Sequence, residues 1–528
     1  MVLAVGAAAV GVFTAYLRMA QSMPVNADGA GNARQAWDLL HGNVLLSGWT
    51  VSDVSFYTTE LPQYALIELF VGLRPEVVHI AAAMTYTLVV LLATAVAVGR
   101  STGREALVRA GIALAVVAVP ATSGYAITLL DPDHTGTAVP ILVTWLVVER
   151  VRDGRRLSWL VALLLTWAAI GDPLVLFVGT LPLIAVSAIR VYRLRGRRAH
   201  SWGGIDAGLL VGGVGSVVLC QLVLAIVHAL GGFAVHPPIV AISPVDQLDD
   251  HLGVAERAMV GNFGAHLPDL PSPVSELSSV LHLVALALVL VAVMVAGWRL
   301  LTRPTDRIAD LLVVGIAVNL VAFVVSTQAG DGGTARQIIV VLPFGAALAA
   351  RTFGPPLAQV RLAPAVVALV VAALCVPLAT QAATANAVPV EASAVSQWLD
   401  GRGLTYGIGG YWASHNVTLA TGGRVQVAPT TGDDPVLGYR WESRADWYDA
   451  TRHDARFVII PLREPADRMM TAVRAEFGDP VEERFFPGFV VLVYDHNVLV
   501  GLPAMCVPEF RPRMADCPPT IPGLPGTS

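Results

Sequence analysis

A chain of 528 residues that is 55% hydrophobic and 14% charged, with a mean hydropathy of +0.65, has more apolar surface than a water-soluble fold can cover. That excludes an ordinary soluble enzyme, and a formal net charge of −5 gives no electrostatic reason for a nucleic-acid partner. The basic residues are all arginine, which fits a GC-rich coding bias better than any function.

In chain order, a window of about 19 residues finds roughly eleven apolar runs, near 2–19, 76–98, 106–121, 137–148, 157–170, 173–191, 206–230, 278–298, 310–327, 337–350 and 362–380. Arginines gather in every second connection. They are Arg100, Arg104 and Arg109; Arg150, Arg152, Arg155 and Arg156; Arg190, Arg193, Arg195, Arg197 and Arg198; Arg299, Arg303 and Arg307; Arg351 and Arg361. The positive-inside rule puts these connections and the amino terminus in the cytoplasm, and an odd number of spans leaves the carboxyl-terminal segment outside. The expected fold is an all-α polytopic membrane bundle over residues 1–380. Its first run is read as a retained anchor, because the residues after Arg18 make a poor signal-peptidase site.

Three segments expected outside exceed turn length: residues 20–75, residues 231–277 and everything after 381. In the first, Ala36, Leu39 and Leu40 mark one amphipathic stretch and Tyr64, Leu66, Ile67 and Phe70 another. Both suit the membrane interface, with Trp37, Trp49 and Tyr57 as headgroup anchors. Residues 381–528 read as an extracytoplasmic α/β domain, with helical patterns at 391–399 and 465–477 and β-rich runs at 405–409, 424–428, 456–461 and 489–494. A Pro-rich irregular tail begins at Pro503. Cys220 and Cys375 lie in apolar runs, whereas Cys506 and Cys517 fall in the tail. An oxidising compartment favours a disulfide between them over a metal site lacking further ligands. No internal repeat of the two-halved transporter kind is evident.

Ionisable groups avoid the middles of the apolar runs, where an ion-coupled pump would bury them. They collect at the ends expected to face outward: Asp28; Asp131, Asp133 and His134; Asp172; Asp331 and Arg336. All lie at one side of the bundle, so they can converge on a cavity roofed by the first long segment.

On these features the chain resembles the C-type glycosyltransferases (GT-C fold), polytopic enzymes that take a sugar from a polyprenyl-phosphate carrier at the outer membrane face. The resemblance rests on a first span followed by a large loop bearing an acid, Val25-Asn26-Ala27-Asp28-Gly29. A second acidic motif, Asp131-Pro132-Asp133-His134-Thr135-Gly136, follows the third span, and about eleven spans precede a carboxyl-terminal domain. It implies Asp28 as the catalytic base; many family members carry two adjacent acids there, whereas Gly29 follows Asp28 here.

Chemistry supplies a separate rationale, because a sugar hydroxyl is a poor nucleophile until a carboxylate accepts its proton. The alternative is that Asp28 only forms a turn. Asp131 and Asp133 can face a shared substrate or cation with His134 as donor or ligand, or simply end a helix; no cofactor is assigned, and a divalent cation stays open. Arg336 starts a span at the wrong end for the charge rule, which suits a bidentate clamp on the carrier phosphate. Its alternatives are snorkelling or a pair with Asp331. Asp172 in Gly171-Asp172-Pro173 reads as a tight turn. Glu60, Tyr64, Tyr411 and Trp412 are read as acceptor contacts, and Asn416-Val417-Thr418 as a sequon that means little in a bacterium.

The expected activity is transfer of a hexosyl or pentosyl group from a polyprenyl-phosphate or diphosphate donor to an envelope glycan, lipid or protein at the plasma membrane. The rival reading is a transporter, a flippase or an envelope-assembly scaffold of the same fold.

Overall fold

The computed structural model describes residues 2–120, 125–194, 204–236, 240–265, 273–302, 306–330, 332–431, 435–462, 466–502 and 504–505. Asp331, Cys506 and Cys517, and with them the expected disulfide, lie outside the described residues. Among the described residues seven helices are long and apolar enough to cross a membrane: Glu76–Val98, Leu176–Arg193, Ile205–Ala229, Ser278–Thr302, Arg307–Val325, Thr334–Gln359 and Ala363–Thr384. They are runs rich in Val, Leu and Ala, each with an 18-residue stretch holding at most two charged residues.

The expected count of eleven is not reached by length and composition. The other four runs are helical, in Val2–Ala20, Gly103–Val117, Ala138–Arg150 and Gly154–Gly171. At 1.5 Å per residue, however, a helix such as Gly103–Val117 is only about 22 Å long, short of a bilayer core of about 30 Å. Thr334–Gln359 is the central helix, with 89% of its apolar window buried, whereas Ala363–Thr384 is peripheral at 17%.

The arginine-rich helix ends form one polar layer. Arg351 lies between Glu149 and Asp306, Arg190 between Asp206 and Asp310, and Arg307 binds Asp206. Glu149 ends the Ala138–Arg150 helix, whose other end follows the Asp131–His134 loop, so about 20 Å separate the arginine layer from the acidic motif.

Beyond the bundle, seven strands form a mixed sheet in the order Ala504–Met505, Leu437–Tyr439, Gln426–Thr431, Tyr406–Gly410, Phe457–Pro461, Phe489–Val493, Glu482–Phe486. The Tyr406–Gly410 strand runs parallel to both neighbours, and Phe489–Val493 antiparallel to both of its own. Strand alternation divides the sheet into two cores. Phe457 and Ile459 pack with Val395, Leu399, Ala413 and Val417 of the Ser393–Gly401 and Tyr411–Ala420 helices, whereas Val458 and Ile460 pack with Val473 and Phe477 of the Ala466–Phe477 helix. Each of the four expected β-rich runs contains a strand, and so do Leu437–Tyr439 and the charged edge Glu482–Phe486, which the sequence reading left out. The Tyr411–Ala420 helix, which follows Gly410, lies outside the helical patterns expected at 391–399 and 465–477.

A three-stranded sheet stitches the long segments together: Trp49–Val51 pairs parallel with Ala234–Val235 and antiparallel with Ser443–Arg444. This corrects two expectations for the first segment. Trp49 is no headgroup anchor, because its ring meets Trp447 edge-on and its Nε1–H donates to Asp38 at 2.7 Å. On the Glu60–Val71 helix, Tyr64 and Ile67 are buried while Leu66, Leu69 and Phe70 are exposed, so the apolar exposed face is narrower than read.

Candidate functional site

The acidic end of the bundle meets the first long segment through a helix cap. Asn26 caps the Ala27–Leu40 helix, its Oδ1 accepting the Gly29 N–H at 3.0 Å, while its amide donates to Asp131. The cap places Asp28 in the first helical turn, where a carboxylate is favoured by the helix dipole. The Asp131–Gly136 loop is shaped from within: the Asp133 N–H donates to Asp131 Oδ1 at 3.1 Å, and His134 takes a left-handed φ of 54°. Asn32, about one helical turn beyond Asp28, donates to Asp133 Oδ1 at 3.2 Å.

These constraints bring Asp28, Asp131 and Asp133 around one nitrogen. Arg336 Nη1 stands 3.8 Å from Asp28 Oδ2, 3.5 Å from Asp131 Oδ2 and 3.4 Å from Asp133 Oδ2. All three carboxylates meet the arginine at Nη1. Asp131 and Asp133 are almost wholly buried, whereas Asp28 keeps 25% of its side chain exposed and so is the carboxylate open to a substrate. Burial, then the Asp131 charge, raises the Asp133 carboxyl well above its usual range against the pull of Arg336. The same two causes raise Asp28, opposed by Arg336 and by the Tyr411 hydroxyl. Among the described residues no group of three or more His, Cys, Asp or Glu side chains is arranged to hold a metal ion.

At the other carboxylate oxygen, the Tyr411 hydroxyl lies 2.8 Å from Asp28 Oδ1, and it lies 2.7 Å from Glu442 Oε2. Tyr411 is therefore tied to the acid cluster, while Trp412 beside it is exposed. Glu442 gave no signal in sequence. The small residues of Ala27-Asp-Gly-Ala-Gly-Asn-Ala33 were the available hint, because a Cβ at Gly31 would overlap Glu442 Oε2.

Behind the cluster, His134 Nδ1 lies 2.8 Å from Asp172 Oδ2 and His134 Nε2 lies 3.1 Å from Gln337 Nε2. Burial pulls the imidazole pKa down, but the adjacent, hydrogen-bonded Asp172 more than reverses that. Asp172 does form the expected turn, accepting the Leu174 N–H at 2.8 Å, yet it is also the partner of His134 and Thr137, which the turn reading missed. His134, Asp172, Asp53, Asn319 and Gln337 form the polar floor of a cavity of about 280 Å³ whose remaining wall is mainly apolar, including Phe177, Ile242, Ala322, Phe323 and Val325, with Ser326 and Gln328 as its polar members. It adjoins the acid cluster, since Asp133 and Arg336 precede His134 and Gln337 in the chain.

Glu60 does not reach this cavity. It is 1% exposed, accepts the Thr59 hydroxyl, and packs on Gly136, where a Cβ would strike it. Burial pushes its carboxyl up to about 8. Tyr64 is likewise buried, and Asn416 of the sequon is 1% exposed with its amide on Val25 O.

No known protein-family model matches this chain, and no curated protein matches it.

Proposed function

We propose that the chain is an integral-membrane glycosyltransferase of the C type, with the acid cluster and carboxyl-terminal sheet on the outer side of the plasma membrane. The observation that carries the reading is the convergence of Asp28, Asp131 and Asp133 on Arg336 beside a cavity with a polar floor and an apolar wall. Such a cavity suits an amphiphile: the floor offers hydrogen bonds to sugar hydroxyls and the wall accepts the first prenyl units. In the reaction, Asp28 takes the proton of an acceptor hydroxyl, whose oxygen bonds the anomeric carbon while the carbon–phosphate-oxygen bond breaks and the phosphate departs on its lipid. Arg336, fixed by the aspartates, stabilises that phosphate.

The arginine role is tested by binding of a polyprenyl-phosphate analogue to the purified protein. Arg336→Lys keeps the charge but loses the planar fork, so affinity should weaken about tenfold, a loss of about 1.4 kcal/mol. Unchanged binding by Arg336→Ala would remove Arg336 from the phosphate site.

A further inference from the structure

Tyr411 of the carboxyl-terminal unit meets Asp28 at Oδ1, whereas Arg336 faces Oδ2. Tyr411 has a single hydroxyl proton, yet its oxygen stands 2.8 Å from Asp28 Oδ1 and 2.7 Å from Glu442 Oε2. A phenol can donate to only one carboxylate, so two contacts of this length require that one of the two acids bring its own proton. Which acid does so follows from surroundings. Asp28 is a quarter exposed and stands 3.8 Å from Arg336. Glu442 is 2% exposed, and the charged groups that act on it most, Asp28, Asp131 and Asp53, are all anions. An anion is far less costly at Asp28.

We propose that Glu442 and Tyr411 are positioning residues that keep Asp28 ionised: Glu442 carries the proton and donates it to the Tyr411 oxygen, which turns the phenol proton onto Asp28 Oδ1. This rests on Asp28 being the base of the transferase. Asp28 Oδ2 is then the atom left to take the acceptor's proton. After transfer Asp28 is a neutral carboxyl, Tyr411 and Glu442 are unchanged, and the proton leaves to water through the exposed part of Asp28. Burial and the Asp28 charge both push the Glu442 carboxyl well above its usual range, in agreement with the geometry.

The placement of Glu442 is built into the fold. It holds a left-handed φ of 47°, unfavourable for a residue with a Cβ, and the following Ser443–Arg444 strand pins it to Trp49 and Thr50. Gly31 on the Asp28 helix leaves the space its carboxyl fills.

Two measurements on the purified full-length protein test this. Infrared difference spectra at neutral pH should show a protonated-carboxyl band in wild type that is missing in Glu442→Gln; identical spectra would overturn the proposal. Tyr411→Phe removes the hydrogen bond that stabilises the Asp28 anion, so the acid limb of kcat/KM should move up by about one pH unit, with activity recovering at higher pH. An unmoved limb at wild-type kcat/KM would also overturn it. If wild type transfers no sugar, the transferase reading fails and the infrared result alone decides where the proton resides; it decides equally if Tyr411→Phe does not fold.

Discussion

Asp28→Asn is expected to lower sugar transfer by about 10²–10⁴-fold while leaving donor binding nearly intact, because a positioned base contributes about that much and an amide cannot accept the proton. The substitution is structurally mild. Asn26, not Asp28, caps the Ala27–Leu40 helix, and an asparagine oxygen at position 28 can still accept the Tyr411 hydroxyl. The fold loses the charge–dipole term at the first turn, about 0.3–1 kcal/mol, and one of three carboxylates on Arg336, which Asp131 and Asp133 still hold. A drop in rate without a drop in melting temperature therefore separates base from turn. Wild-type transfer by Asp28→Asn would remove Asp28 from the chemistry.

At the other end of the bundle the largest expected effect is on stability. Arg351 is 5% exposed, its Nη2 2.8 Å from Glu149 Oε1 and its Nε 2.8 Å from Asp306 Oδ2. Arg351→Ala leaves Glu149 without its cation and Asp306, a third exposed, with only its helix-cap hydrogen bonds from Ile308 and Ala309, which should cost about 3 kcal/mol, the low end for breaking a buried pair. The check is thermal unfolding in detergent: a clearly lowered melting temperature, largely recovered when Glu149→Gln and Asp306→Asn are added. An unchanged melting temperature for the single variant would mean that the arginine layer does not hold the helix ends.

What the sequence made legible follows from how local each signal is. Runs such as 76–98 and 362–380 announce helices by composition alone, because nothing but a helix satisfies so long an apolar backbone in lipid. The alternation of Phe457 and Ile459 with Val458 and Ile460 likewise announces a strand buried on both faces. Tyr411–Ala420 was hidden, because Tyr, Trp, His, Asn, Val and Thr are indifferent helix formers. Tertiary contacts hold that helix: Ala413 and Val417 in the sheet core and Asn416 on Val25. Trp49 misled for the same reason, since an aromatic in a long segment looks the same in sequence whether it faces a headgroup or Trp447.

The site divides along the same line. Asp28, Asp131, Asp133 and Arg336 stood out by residue type at helix ends, but their meeting depends on packing between residues more than 200 positions apart, which periodicity does not encode. Asp172 was read correctly as a turn and incompletely as a residue, because its second partner, His134, is 38 positions away. Glu442 lies in a stretch with neither periodicity nor motif, and its position follows from the strand pairing of Ser443 and Arg444 and from its approach to Gly31.

Transfer itself is the most direct test. The purified chain, reconstituted in liposomes with envelope extract as acceptor, is given a panel of labelled hexosyl and pentosyl polyprenyl phosphates. The account predicts that one donor is consumed, with label passing to the acceptor and free polyprenyl phosphate released in equal amount, and that Asp28→Asn stops both. Donors left intact by wild-type protein across the whole panel would contradict it and favour a transporter or an assembly scaffold.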